Sequence, residues 1–286
     1  MRSLTSIIPI ADAHCHLNPL KGIGIKSLGR KFKDRGGWYL GIVSLSPSHL
    51  GLESSLDGYR KTFSITAEFC RELNQVEVKY RIHLGFHPAE VDKLMNLGFS
   101  AKQTLELGLK VIDMACSMIE RGIAHGLGEV GIQHYKTSKE RLRIAEEIMK
   151  YSLMRAKDLK VPIHLHLDQN IMTITKVKKL ATEIGCHLRN IVIHHVTLEL
   201  LEKTLELGFS TTIVGKIGNL TAVCERNLVT LVESDYLDDP KRPGAVIVPW
   251  SICRSWRKLL SRGICDEEFA YKVNVDEITR LYKISP

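Results

Sequence analysis

Long apolar runs are absent from this 286-residue sequence, and with them any segment able to cross a bilayer. The N-terminal stretch MRSLTSIIPIADAHCH is apolar only briefly, because polar residues and histidines interrupt it well before the ~18 apolar residues that a span requires. No signal peptide or membrane segment is expected. Cysteine pairs are absent too. Cys15, Cys70, Cys116, Cys186, Cys224, Cys253 and Cys265 are odd in number and form no C-x-x-C. That argues against a disulfide framework or a zinc ribbon and fits the reducing cytoplasm. No run of five or more like charges occurs, so there is no polyelectrolyte tail. What is there is an ordinary globular composition, 44% hydrophobic and 25% charged. The formal net charge of +8 would attract nucleic acid or other polyanions through the summed field. Lysines and arginines are nevertheless spread along the chain, as they would be on any solvated basic surface.

Short β-rich runs alternate with longer helical segments, the order of repeated βα units around a parallel sheet. Eight such runs stand out: Ser6 to His14, Leu40 to Leu45, Arg81 to Phe86, Ala124 to Val130, Val161 to His166, Asn190 to His195, Phe209 to Val214 and Thr230 to Asp235. Several are nearly continuous Val, Ile and Leu, as strands buried on both faces should be. Eight units predict a (β/α)8 TIM barrel, and with no repeat or linker residues 1–286 read as one domain. The clearest helices are Lys102 to Arg121 and Lys139 to Leu159, with Ser138 placed to cap the second. Lys21 to Gly37, with five glycines, reads as a long loop after the first strand, and the helices from about Ser255 onward as a cap on the barrel.

Side chains able to bind metal fall at the C-terminal ends of five predicted strands, where barrel active sites are built. In Asp12-Ala13-His14-Cys15-His16 the alternation of a strand turns both imidazoles to one side. A hydrogen-bonded histidine pair is the alternative for that motif alone. Glu129 follows an apolar strand between glycines that permit close backbone approach, and a buried carboxylate there needs a positive partner, a metal or an arginine. His164 and His166 share a face of the fifth run, His166 nearer the mouth, so one ligates while the other orients it. In Ile193-His194-His195 neighbours project oppositely, and parity with Ile191 and Ile193 favours His195 over His194. Asp235 is the best placed of the acidic cluster Glu233 to Asp239, in which Asp238 and Asp239 suit a turn before Pro240.

These residues resemble the TatD-like metal-dependent hydrolases of the amidohydrolase superfamily. D-A-H-C-H-L at Asp12 to Leu17 is similar to the family's first-strand H-x-H, L-G-F-H-P at Leu84 to Pro88 to its G-x-H-P segment, and G-E-V-G-I at Gly128 to Ile132 to its G-E-x-G motif. P-I-H-L-H at Pro162 to His166 resembles the fifth-strand histidine segment, and E-S-D-Y at Glu233 to Tyr236 the E-T-D ending. The opening D-A-H-C-H-L-N-P, the segment D-Y-L-D-D-P-K-R-P-G-A-V and the Gly/Lys loop look closest to a poorly characterised archaeal branch. The resemblance implies a TIM barrel, two divalent-metal positions bridged by Glu129, and hydrolysis, with DNA nuclease activity known in the wider family. Three places depart from the pattern. Asp168 stands where an Arg able to contact phosphate commonly follows the fifth-strand histidine, Ile132-Gln133-His134 replaces L-D-Y, and His194-His195-Val196-Thr197 replaces the H-C-F segment.

The expected arrangement has His14 and His16 on one ion, His166 and His195 on the other, and Glu129 between them, with Asp235 binding the first ion and accepting a proton from the attacking water. Imidazole-rich ligation favours zinc or manganese, while carboxylate and water positions also suit magnesium. His87 and His134 would either contact substrate near the mouth or be hydrogen-bonded loop histidines. DNA or another phosphodiester is the expected substrate. An amide, ester or lactone of a small molecule is the alternative that the missing Arg favours, and a metal-stabilised binding scaffold is the non-enzymatic one.

Overall fold

The computed structural model describes residues 8–239 and 246–286. Its sheet strands are β1 (Ile10–His16), β2 (Gly37–Val43), β3 (Lys79–Leu84), β4 (Gly126–Gly131), β5 (Ile163–His166), β6 (Ile191–Ile193), β7 (Ser210–Val214), β8 (Leu231–Glu233) and β9 (Tyr236–Leu237). The helices are α1 (Ile25–Lys33), α2 (Leu56–Cys70), α3 (Ala89–Asn96), α4 (Ala101–Glu120), α5 (Lys139–Leu159), α6 (Ile171–Ile184), α7 (Leu198–Glu206), α8 (Ile217–Glu225), α9 (Pro249–Ser261), α10 (Glu267–Tyr271) and α11 (Glu277–Tyr282). Every strand pairs parallel with its neighbour in the order β8-β7-β6-β5-β4-β3-β2-β1-β9. The fold is an α/β TIM barrel, as the eight apolar runs imply. The first run begins at Ser6, and residues 6 and 7 lie outside the described residues.

The eighth run yields β8, and a further short strand just beyond it, β9, closes the barrel. β8 pairs with β7 and β9 pairs with β1, with Ser234 and Asp235 between them. The Ser234 amide donates to Asp12 Oδ1 at 2.8 Å and the Asp235 amide to the His14 carbonyl at 3.0 Å, stitching the last strand to the first. Asp235 takes a left-handed backbone, φ +48°, at this break.

Strand residues are almost wholly buried, packed between the interior and the surrounding helices. A smaller apolar cluster, including Ala11, Trp38, Val192 and Leu231, meets Ile278, Leu281 and Tyr282 of α11. Arg81 at the start of β3 donates to the carbonyls of Tyr282 and Lys283, and Trp38 Nε1 to that of Asn274. The C-terminal helices therefore plug the N-terminal end of the barrel, opposite the end where the strands deliver their histidines. The expected Ser138 cap is present, its side chain accepting from the Arg141 amide at 3.2 Å. Lys21 to Gly37 corrects the expectation of a loop. Ile25, Leu28 and Phe32 form a buried helical stripe, and Gly29 lets α1 approach Leu73 and Val76 so closely that a Cβ would lie 2.8 Å from Val76. Tertiary packing outweighs the low helix propensity of glycine.

Candidate metal centre

β1 delivers His14 and His16 side by side, with their Nε2 atoms 3.2 Å apart. β4 delivers Glu129 between glycines whose need is visible. At Gly131, φ +148°, a Cβ would overlap the His166 carbonyl oxygen, and at Gly128, φ +151°, it would lie 2.9 Å from the His164 Cβ. Glycine alone permits β4 to lie this close to β5. The Glu129 carboxylate is met by imidazoles on both oxygens. His194 Nε2 lies 2.9 Å, His166 Nδ1 3.2 Å and His14 Nε2 3.7 Å from Oε1, while His16 Nε2 lies 3.3 Å and His87 Nε2 3.9 Å from Oε2. Asp235 completes the ring, 3.8 Å from His16 Nε2 through Oδ1 and 3.9 Å from His195 Nδ1 through Oδ2. All six residues singled out in the sequence, His14, His16, Glu129, His166, His195 and Asp235, thus converge at the barrel mouth.

The choice between His194 and His195 needs correction in its premise. β6 ends at Ile193, so strand alternation does not govern either histidine. His195 takes a left-handed backbone, φ +40°, with its amide donating to Thr212 Oγ1 at 3.0 Å, and this turn brings its ring to 3.9 Å from that of His194. Both face the site, and His194 is the nearer to Glu129. His164 does not reach Glu129; it backs onto His14, with the two Nδ1 atoms 3.0 Å apart.

Ring orientation tests whether these groups suit a cation. His16 Nδ1 lies 3.2 Å from the Val43 carbonyl and His194 Nδ1 3.0 Å from Glu233 Oε2. A carbonyl or an ionised carboxylate only accepts, so each Nδ1 carries the hydrogen, and in a neutral ring Nε2 is then a lone pair. Those lone pairs point at Glu129. Acceptors facing acceptors in a buried site are satisfied by a proton or a metal ion, and imidazole with carboxylate is a donor set that divalent metals take. Among the described residues, His14, His16 and Asp235 form one ligand-atom group; His166, His194 and His195 form a second; Glu129 joins His14 and His194 in a third and His87 and His166 in a fourth. The donor set fits the metal.

The electrostatics divide the histidines into two sets. Burial pushes His14 well below its ordinary value, His87 down to about 3 and His195 down to about 2, leaving these rings neutral. Burial opposes ionisation of Glu129, yet His194, His16 and His166 hold its carboxyl well below the usual range. Burial raises Asp235 to about 6. Burial would lower His194 and His16, but Glu233 and Glu129 lift the first well above its ordinary value and Glu129 and Asp235 lift the second, so a metal ion taken up at either Nε2 would displace a proton shared with Glu129.

Above these groups opens a cavity of about 420 Å³. Its described lining includes Ser44, Ser46, His49, His87, Glu90 and Tyr135, and no lysine or arginine. His134 also lines it, with Nδ1 2.7 Å from His166 Nε2, so both loop histidines expected near the mouth are there. His49, Glu90 and Tyr135 escape the sequence reading because they lie in loops or at a helix start, where no periodicity marks an inward side chain. Glu233 was visible in the acidic cluster, but its part as the partner of His194 depends on a contact 39 residues apart in the chain.

The sequence pattern of the family described as TatD related DNase matches residues 11–283. An uncharacterised protein of Methanocaldococcus jannaschii is 27% identical over 277 residues, 96% of each chain. The YjjV TatD homologue of Escherichia coli has a similar fold, with a TM-score of 0.68 at 17% identity over 97% of this chain and 99% of that one. A mutant of the phosphotriesterase-like lactonase of Deinococcus radiodurans superimposes with a TM-score of 0.63 at 14% identity, covering 96% of both chains. With the barrel, the histidine-carboxylate mouth and a match across nearly its whole length, this chain belongs to the TatD-related DNase family.

Proposed function

We propose that the chain is a divalent-metal-dependent phosphodiesterase acting on DNA or a related phosphodiester, with zinc, manganese or magnesium in one or two positions. The observation that carries the reading is Glu129, a single buried carboxylate with imidazole nitrogens of His14, His166 and His194 on one oxygen and of His16 on the other. His14, His16 and Asp235 would hold one cation, His166 and His195, joined by His194, the second, and Glu129 would bridge. Cations held there supply the positive charge that polarises a phosphoryl oxygen and brings water's acidity toward neutrality. Asp235 sits at the open side of the ligand groups, its side chain 21% exposed toward the cavity, where one carboxylate oxygen can bind and the other can take a proton from water. Glu233 holds His194 in its ligating tautomer, and Val43 does the same for His16.

Hydrolysis of a small ester, lactone or amide is the second reading. The described cavity lining offers no lysine or arginine to a phosphate, and Asp168 occupies the position of the family's Arg. Metal analysis followed by turnover of single-stranded DNA, a nitrophenyl phosphodiester and a lactone and amide panel, for wild type and Asp235→Asn, separates them. The expected result is bound metal, phosphodiester turnover, and a loss of about 10²- to 10⁴-fold in the variant, the usual scale for a general base. Turnover of lactones or amides alone overturns the substrate class, and wild-type rates in Asp235→Asn overturn its role. Metal binding without turnover of anything leaves the scaffold reading standing.

A further inference from the structure

Beneath the ligand groups, a second line of polar side chains runs down the barrel interior. His14 Nδ1 lies 3.0 Å from His164 Nδ1, and His164 Nε2 lies 2.8 Å from the Tyr282 hydroxyl. All three residues are buried, and Tyr282 comes from α11, the helix that plugs the far end of the barrel. His164 belongs to none of the ligand-atom groups around Glu129 among the described residues. The hydrolytic scheme gives neither His164 nor Tyr282 anything to do.

A hydrogen bond between two neutral imidazoles needs one N–H and one lone pair. If the hydrogen sits on His14 Nδ1, the His14 Nε2 lone pair faces Glu129 and His16, where the cation position lies. If it sits on His164 Nδ1, His14 must carry its own hydrogen on Nε2, which then points into that position and blocks ligation. His16 and His194 are spared this ambiguity, because a carbonyl and a carboxylate behind them can only accept. His164 can do either. The Tyr282 hydroxyl can serve either form, donating to a bare His164 Nε2 or accepting from Nε2–H, so a cation at His14 Nε2 makes the selection and the tyrosine oxygen permits it. A His164 ring that accepts from His14 carries its hydrogen on Nε2, and the Tyr282 oxygen, 2.8 Å away, is there to accept it. Without that oxygen the buried N–H would be orphaned, a worse defect than an unused lone pair, and the ring would change tautomer.

We propose that His164 and Tyr282 are positioning residues that support His14 in the Nδ1–H tautomer, the form able to ligate through Nε2. This rests on the metal-site reading above and adds a dependence of the mouth on the C-terminal helix at the opposite end. His14 Nδ1–H donates to His164 Nδ1, and His164 Nε2–H donates to the Tyr282 oxygen.

The test is zinc titration by calorimetry on the full chain, with nitrogen-15 histidine spectra of the zinc-loaded protein. Tyr282→Phe is the main variant, since it removes one oxygen and keeps the packing ring. It should weaken one zinc site by about tenfold or more, the low end for loss of a group that orients a ligand. His164→Leu should do at least as much, whereas His164→Asn should recover affinity, because its amide oxygen stands near the Nδ1 position and accepts from His14 without help. In the His164→Asn background Tyr282→Phe should then have no further effect, a coupling that a merely structural tyrosine would not show. The spectra should place hydrogen on His14 Nδ1 and His164 Nε2. Wild-type zinc affinity in Tyr282→Phe, or hydrogen on His164 Nδ1 in the loaded protein, overturns the proposal while leaving the metal site intact. A wild type that binds no divalent metal overturns the metal-site reading and this inference together.

Discussion

Replacing Asp92 with Asn removes the charge that organises the loop over the mouth. Asp92 lies on α3, almost buried, and gathers donors from the segment after β4: Gln133 Nε2 at 2.8 Å, the Tyr135 hydroxyl at 3.1 Å, the Thr137 hydroxyl, and Arg141 Nη1 at 3.1 Å. That segment carries His134, which contacts His166. An amide offers one acceptor oxygen where the carboxylate offers two, and turns an NH2 group toward the donors that used the other. Bonds to a charged acceptor contribute roughly 1.5 to 3 kcal/mol and neutral ones roughly 0.5 to 1.5 kcal/mol, so the exchange should destabilise the fold by about 3 kcal/mol. The pH dependence is specific. Burial raises the Asp92 carboxyl, but Thr137, Gln133, Arg141 and Tyr135 outweigh it and hold the group below its ordinary value. A depressed folded value means the contribution is complete above the unfolded value of about 4 and disappears as pH falls through the folded value. Urea unfolding of wild type and Asp92→Asn should show the full gap at pH 7, seen in the midpoint at constant slope, and a shrinking gap below about pH 4. A gap under about 1 kcal/mol at pH 7, or one that grows on acidification, would refute the hub.

Three further perturbations read the site itself. Glu233→Gln replaces the acceptor that keeps the hydrogen on His194 Nδ1, and zinc affinity by calorimetry should fall about 10- to 100-fold; an unchanged affinity removes Glu233 from the site. Exhaustive chelation should lower the melting temperature of the purified protein, since a ligand at a hundred times its dissociation constant stabilises by about 2.7 kcal/mol, and readdition of zinc or manganese should restore it. Coincident melts with and without metal would count against a site that binds in the folded state. Gly131→Ala puts a Cβ against the His166 carbonyl at a backbone angle of +148° and should destabilise by roughly 2 kcal/mol or more, measured in the same urea assay; a neutral result would mean that β4 and β5 can move apart.

Legibility in the sequence followed the range of the physics. The eight strands came through because a doubly covered parallel strand must be a run of apolar residues, whatever its neighbours are. His14, His16, Glu129, His166 and Asp235 could be picked because each sits within two residues of a strand end, where the fold itself says side chains collect. A local rule ends where its element ends. Alternation along β6 stops at Ile193, and the left-handed turn at His195 lets two adjacent histidines face one site, an outcome no period of two can express. α1 was hidden because Gly22, Gly24, Gly29, Gly36 and Gly37 argue locally against a helix, while the reason for it, a close seat against Leu73 and Val76, is some forty residues away in the chain. The partners that set tautomers were invisible for the same cause: His14 with His164, His194 with Glu233 and His164 with Tyr282 are separated by 150, 39 and 118 residues.

The distribution of charge carries one more consequence. The chain is basic, with a net charge of +8, yet the described lining of the mouth holds Glu90, Glu129 and Asp235 and no lysine or arginine. Basic side chains elsewhere can raise the rate at which an anion arrives, because a summed surface field acts over about a Debye length. They cannot neutralise the atom being attacked. Among the described lining residues, then, an anionic substrate would find its positive partners in cations held by the histidines, and the ligating tautomers of those histidines become a condition for substrate binding as much as for turnover. A neutral lactone or amide would not share that dependence in binding, only in reaction.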